Sequence, residues 1–349
     1  MKKSVLAAGL LIAGLAGSAA HAHQWGCWIQ ADRNVKIRNA AGSQASSAIN
    51  DWNSMTILNI SSVSSGEEIY VFNANSGNTG WAGLATITSY SGCTIRRATA
   101  QVNTYYYSST STAARGIHCQ EIGHGFGLDH SNDGGCMGAG YWYSVTGAYR
   151  PVSHNVNDIG SMYANRIIGE SLVTGEHGDD GHGEGHGEEN ETPRLHGYWF
   201  NNPRHIGEAS LIASNIVIAT VSSVTEGDPI AIRAEGDTYE TSIPTQRVHF
   251  NVLASAKGDM VPSESFVLFQ NGNEKNRFDE DPSYKVGGRY LLFLLPREDG
   301  TFRVISPEGR YQLGSKGLVP ASHRGFAAEL KGARLSDILG DVQRALQEQ

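Results

Sequence analysis

Apart from the stretch Val5 to Ala16, no segment of this 349-residue chain approaches the roughly 20 apolar residues that a membrane-spanning helix needs. That excludes a helical membrane protein and predicts no membrane anchor. Basic residues are outnumbered, 27 Lys and Arg against 35 Asp and Glu, and they form no cluster, so no nucleic-acid surface is expected. No repeat of 20 to 50 residues is visible, which argues against a solenoid or propeller. Cysteine is scarce: the four residues Cys27, Cys93, Cys119 and Cys136 make an even set, read as two disulfides if the chain meets an oxidising compartment.

Such a compartment is predicted by the first residues. "MKKSVLAAGLLIAGLAGSAAHA" carries two lysines, an apolar run and an A-x-A ending at Ala22, the pattern of a cleavable signal peptide over residues 1–22. The product should be secreted or periplasmic. The remaining 327 residues suffice for two domains, because one core rarely serves more than about 250.

Large apolar residues are missing altogether from "EHGDDGHGEGHGEENETP", Glu176 to Pro193, so this stretch cannot bury a core and reads as a disordered linker, placed at 171–195. Seven of the acids that give the chain its formal charge of -8 lie between Glu176 and Thr192, where no basic residue offsets them. His177, His182 and His186 could hold a metal loosely, which gives a metal-storage reading of the chain its only support.

The linker divides a unit at 23–170 from one at 196–349. In the first, "SQASSAINDWNSM" spaces Ala45, Ile49 and Trp52 at helical intervals, and four strand-like runs follow from Thr56, Glu67, Gly83 and Thr94. In the second, "NIVIATVSSV", "QRVHFNVLAS", "ESFVLFQN" and "GRYLLFLLP" are separated by turn residues and predict a small antiparallel barrel or sandwich. A last helix should follow, capped by Ser336, with Leu339, Val342 and Leu346 as its apolar stripe. The fold class is α+β.

"IHCQEIGHGFGLDHSNDGGCMG", Ile117 to Gly138, carries the chemistry. Positions 120 and 124 lie about 40° apart on a helix and share a face, so both can reach one ion. Glu121 can then address a water beside that ion. Gly127 lets the chain leave the helix, and His130 can swing back toward the same point. A catalytic zinc needs such a set, with one position left for water.

"QEIGHGFGLDH" resembles the H-E-x-x-H-x-x-G-x-x-H signature of the metzincin metallopeptidases, and within them secreted, bacterial-type matrixins. Glu121, His124, Gly127 and His130 match, whereas Gln120 stands where the first zinc-binding histidine belongs. "AINDWN", "GLATI" and "CMG" resemble further matrixin landmarks in order, with a closing helix at "HNVNDIGSMY". The resemblance covers about 23–166. It implies a metzincin-like catalytic domain with a mixed twisted sheet, an active-site helix and a closing helix. It makes Met137 the methionine beneath the metal, and "GLATIT" the edge along which an extended protein or peptide substrate lies.

Zn2+ would then be held by His124, His130 and Gln120, whose amide oxygen is a weaker donor than imidazole. His118 is an alternative third ligand, although it sits about 120° around the helix from His124. Cys119 and Cys136 flank the site, and joining them closes a loop of about 17 residues worth roughly 3 kcal/mol; Cys27 and Cys93 then pair. The rival assignment makes Cys27 or Cys119 a thiolate ligand.

The implied function is a secreted zinc endopeptidase with Glu121 as general base. The alternative is an inactive protein of matrixin fold that binds a peptide or protein partner. The first unit is expected to fold alone and keep the activity of the whole chain. No pro-segment is evident between Ala22 and that unit, so latency must be controlled by other means.

Overall fold

The computed structural model describes residues 23–138, 149–166, 192–323 and 325–348. The expected signal peptide, the three linker histidines and most of the linker lie outside them.

In the first unit β-branched and aromatic runs are interspersed with three helices. The elements are β1 (Ile29–Gln30), β2 (Asn34–Asn39), α1 (Ser43–Met55), β3 (Asn59–Ser62), β4 (Ile69–Ala74), β5 (Trp81–Ser91), β6 (Thr94–Asn103), α2 (Thr112–Gly125) and α3 (Ser153–Met162). The sheet runs β3-β2-β4-β6-β5, with β2, β3, β4 and β6 parallel, β5 antiparallel to β6, and β1 on the start of β6. α1 buries Ala45, Ala48 and Trp52 and leaves Ile49 only half-buried. The Trp52 indole donates to the Cys119 carbonyl at 2.9 Å, which locks α1 to α2. Ile69, Val71, Ala85, Ile122, Phe126 and Ile159 fill the core between sheet and helices.

Both expected disulfides are formed, Cys27 to Cys93 and Cys119 to Cys136. This removes either cysteine from consideration as a thiolate ligand. No described helix is long and apolar enough to cross a membrane.

The division between the units differs from expectation. The boundary at 195/196 falls inside β7 (Arg194–Trp199), and β7 belongs to the first sheet, antiparallel on the free side of β5. A six-residue strand beside a polar segment carries little periodic signal, and its partner lies more than 100 residues earlier.

The second unit continues with α4 (Ile206–Ile212), β8 (Asn215–Arg233), β9 (Glu240–Lys257), β10 (Ser265–Asn271), β11 (Arg289–Pro296), β12 (Phe302–Val304), β13 (Arg310–Gly314), β14 (Gly317–Pro320), α5 (Gly325–Glu329) and α6 (Leu335–Gln347). β12 bonds to both β10 and β11, so β8, β9, β10, β12 and β11 close into a ring, and β13 and β14 extend the sheet beyond β11. α6 buries Ile338 and Val342, with Leu339 and Leu346 packed at the side. Arg334, not Ser336, holds the N-cap position; Ser336 lies in the first turn and bonds Asp337.

The units are not separable as expected. The tip of the β8–β9 ribbon reaches the first unit, where Ile232, Ala234 and Ile243 join Tyr70, Phe72, Leu84 and Trp199 in one apolar cluster. Asp237 pairs with Arg38 and accepts from the Tyr70 hydroxyl at 2.8 Å. A chain cut near residue 175 would lose β7 and uncover this cluster.

Gly127 tests the local geometry. Its φ of +93° favours glycine, and a Cβ there would overlap the Trp28 carbonyl, whereas Gly77 (φ +70°) has nothing within 4 Å. Gly127→Ala should cost at least about 2 kcal/mol and Gly77→Ala about 1 kcal/mol. Urea unfolding of the two variants beside the parent checks the order.

Candidate metal centre

α2 is anchored by Ser111, whose side chain accepts from the Ala114 amide, and every residue from Gly116 to Gly125 is buried. One face carries Gln120 and His124. The imidazole of His124 sets its Nδ1 at 2.8 Å from the Leu128 carbonyl, so Nδ1–H can donate there and Nε2 is left as the donor atom for an ion. Gly127 then reverses the chain and returns His130, whose ring centroid is 4.9 Å from that of His124. Beneath them a Cβ on Gly123 would overlap Met137 Sδ; the absence of a side chain at 123 lets the methionine seat under the helix.

The third imidazole comes from the edge strand of the same sheet. His196 on β7 lies opposite Ala85 of β5 and is buried. Its ring stacks on His124 at 4.0 Å between centroids and meets His130 edge-on at 4.5 Å. One ligand atom from each of the three histidines lies within 4.8 Å of the others, the arrangement that can hold a metal ion. Trp25 covers the group, its ring 5.9 Å from His124 and 5.2 Å from His196, with its indole N–H donated to Asp279 at 2.7 Å.

Carboxylates surround the imidazoles. His196 Nδ1 pairs with Glu280, and Nε2 lies 3.3 Å from Asp129 Oδ1. Burial pulls the His196 imidazolium down, but Glu280 and Asp129 outweigh it and hold its pKa up at about 10. The same site can therefore be occupied by a proton or, with Nδ1–H retained on Glu280 and Nε2 turned to the ion, by a metal. Glu121 is fully buried against Gly83, where a Cβ would overlap its carboxylate and Ile117. Burial raises its pKa well above the carboxylate range, with Glu280 adding to the rise and His196 opposing it.

Gln120 lines a cavity of about 40 Å³ with His130, Trp199, Glu280 and Glu308. Its Nε2 donates weakly to the Gly138 carbonyl at 3.4 Å, and its buried Oε1 has no hydrogen-bond partner among the described residues. An orphaned acceptor beside three histidines fits a cation or a bound water. His118 is elsewhere: its Nε2 lies 3.0 Å from Asn73 Oδ1, and burial pushes its pKa down to about 3, so it is a neutral core histidine.

Of the residues that the sequence points to, His130 lies beside His124, Gln120 shares a cavity with His130, Met137 seats against Gly123, and Glu121 is within electrostatic reach of His196. Sequence reasoning missed His196, Glu280, Asp129 and Trp25 as parts of the site. A histidine between apolar neighbours in "RLHGYW" was the available signal for the first of these.

Glu308, on the cavity wall, predicts a pH dependence. Burial raises its pKa from 4.5 to about 8, so the neutral acid is the folded form. The stability it contributes is full below about pH 4.5 and is lost as pH rises through 8. Glu308→Gln should lack this loss, and its advantage over the parent should grow by roughly 1 to 4 kcal/mol between pH 5 and 9. Urea unfolding at both pH values measures it; equal slopes would contradict it.

Comparison with models of protein families and with curated proteins finds no match to this chain.

Proposed function

We propose that this chain is a secreted zinc-dependent endopeptidase whose groove, in the state described, is filled by its own strand. The observation that carries the reading is the meeting of His124 and His130 beside Glu121, where His196 of the seated β7 supplies the third donor. Two disulfides fit export to an oxidising compartment. The resemblance of residues 117–138 to the matrixin signature supplies the reaction class.

Zinc, when bound, would polarise a scissile carbonyl and make a water more acidic. The chain's residues do the rest. Glu121 would take the proton of the attacking water and pass it to the departing amine. β5 would offer its backbone to an extended peptide, adding it to the sheet as a strand. Gln120 would keep its amide oxygen at the site.

β7 uses the same edge of β5, in register from Gly83 opposite Tyr198 to Ile87 opposite Arg194, with a bulge before Trp81 meets Trp199. A peptide could bind there only after β7 has left, and His196 would leave with it. In this reading β7 takes the part of a substrate and supplies the latency. Its occupancy also favours a second reading, in which the metal centre only ties the two units together and no peptide is cut.

Cleavage of an unstructured peptide by the full chain separates the readings. The peptidase reading expects turnover that stops on chelation and falls at least about 100-fold in Glu121→Gln. His196→Ala should raise turnover severalfold, because β7 loses its hold on the site. If parent and His196→Ala both show no chelator-sensitive cleavage while still taking up zinc, the second reading stands.

A further inference from the structure

A second cluster of metal-capable side chains lies apart from the three histidines. His23 is on the N-terminal segment, Asp133 on the turn between His130 and Met137, and His154 on α3, with one donor atom from each within 4.8 Å of the others. Asp158, one helical turn after His154, joins them. The His23 carbonyl accepts from the Asp129 amide at 2.7 Å, which sets the N-terminal segment in place.

Three polar atoms crowd one ring nitrogen. His154 Nε2 lies 2.7 Å from His23 Nδ1, 3.2 Å from Asp133 Oδ2 and 3.2 Å from Asp158 Oδ2, and the last is 3.4 Å from His23 Nδ1. A single imidazole nitrogen carries at most one proton and can satisfy one of these neighbours. Asp158 is 8% exposed at its side chain, and its Oδ2 makes no hydrogen bond in this arrangement. Holding a buried carboxylate oxygen among two ring nitrogens and a second carboxylate is costly without a shared positive charge. Separations of 2.7 to 3.4 Å are those of neighbouring donor atoms around one small ion bound at about 2.0 to 2.2 Å.

We propose that His23, Asp133, His154 and Asp158 form a second site for a divalent first-row transition metal of the zinc type. Two imidazole nitrogens disfavour calcium and magnesium, which take oxygen donors. The ion would clamp three parts of the chain that meet behind the first site: the segment leading to Trp25, the turn leading to Met137, and α3. It would therefore hold the supports of the His124 and His130 group without touching them.

Zinc titration of the chelator-treated full chain by calorimetry tests the proposal, with Zn2+ alone as the probe. His154→Ala and Asp158→Asn should each bind one equivalent fewer than the parent at micromolar zinc. Asp133→Asn, at a half-exposed position that should leave folding intact, should weaken the same equivalent at least about tenfold. The first site and the histidines between 176 and 193 are common to all variants and cancel in the comparison. Three variants that bind as many equivalents as the parent, with unchanged affinity, would overturn the site. Displacement of the extra equivalent by millimolar calcium would overturn its assignment to a transition metal.

Discussion

The backbone ladder between β5 and β7 is the contact on which the rest of this molecule depends. It sets His196 opposite Ala85, and from there the imidazole reaches His124 and His130, which lie on and just beyond α2. It also delivers the chain to the second unit, so the apolar cluster of Leu84, Trp199, Ile232 and Phe278 forms around it. Shifting β7 by one residue would turn His196 to the opposite face of the sheet and break the histidine group.

Charge explains why this group is sensitive to what it binds. Glu121, Glu280 and Asp129 stand around His196 in a largely buried space. Three carboxylates against one imidazolium leave negative charge that low-dielectric surroundings do not tolerate, and a proton on Glu121 or a cation among the imidazoles relieves it. In the proposed function this is how β7 and the working site oppose each other: with the strand seated, Glu121 is neutral and covered, and with the strand away the carboxylate meets water.

Much of the first unit was legible because its signals are local. The helix Ser43–Met55 and the strand Thr94–Asn103 follow from periodicity, and the spacing of Glu121, His124, Gly127 and His130 places them around one point without knowledge of the sheet. The cysteine pairs were legible because Cys119 and Cys136 bracket that point. His196 was not, since it meets His124 across 72 positions and through a strand of six residues beside a polar stretch. The cluster at His23 escaped for the same reason: Asp133, His154 and Asp158 have meaning only once α3 and the N-terminal segment are packed. Ser336 invites a cap because serine favours that position, yet the helix begins two residues earlier than such a cap allows, with Arg334 at the N-cap and Leu335 the first helical residue.

A crystal structure of the zinc-loaded full chain, with the ion located by its anomalous scattering, decides whether the β5–β7 ladder builds a three-histidine metal centre. Zinc should lie within bonding distance of His124, His130 and His196, with β7 still paired along β5 and Glu280 on His196 Nδ1. Zinc held by His124 and His130 alone, with His196 remaining an imidazolium between Glu280 and Asp129, would contradict it.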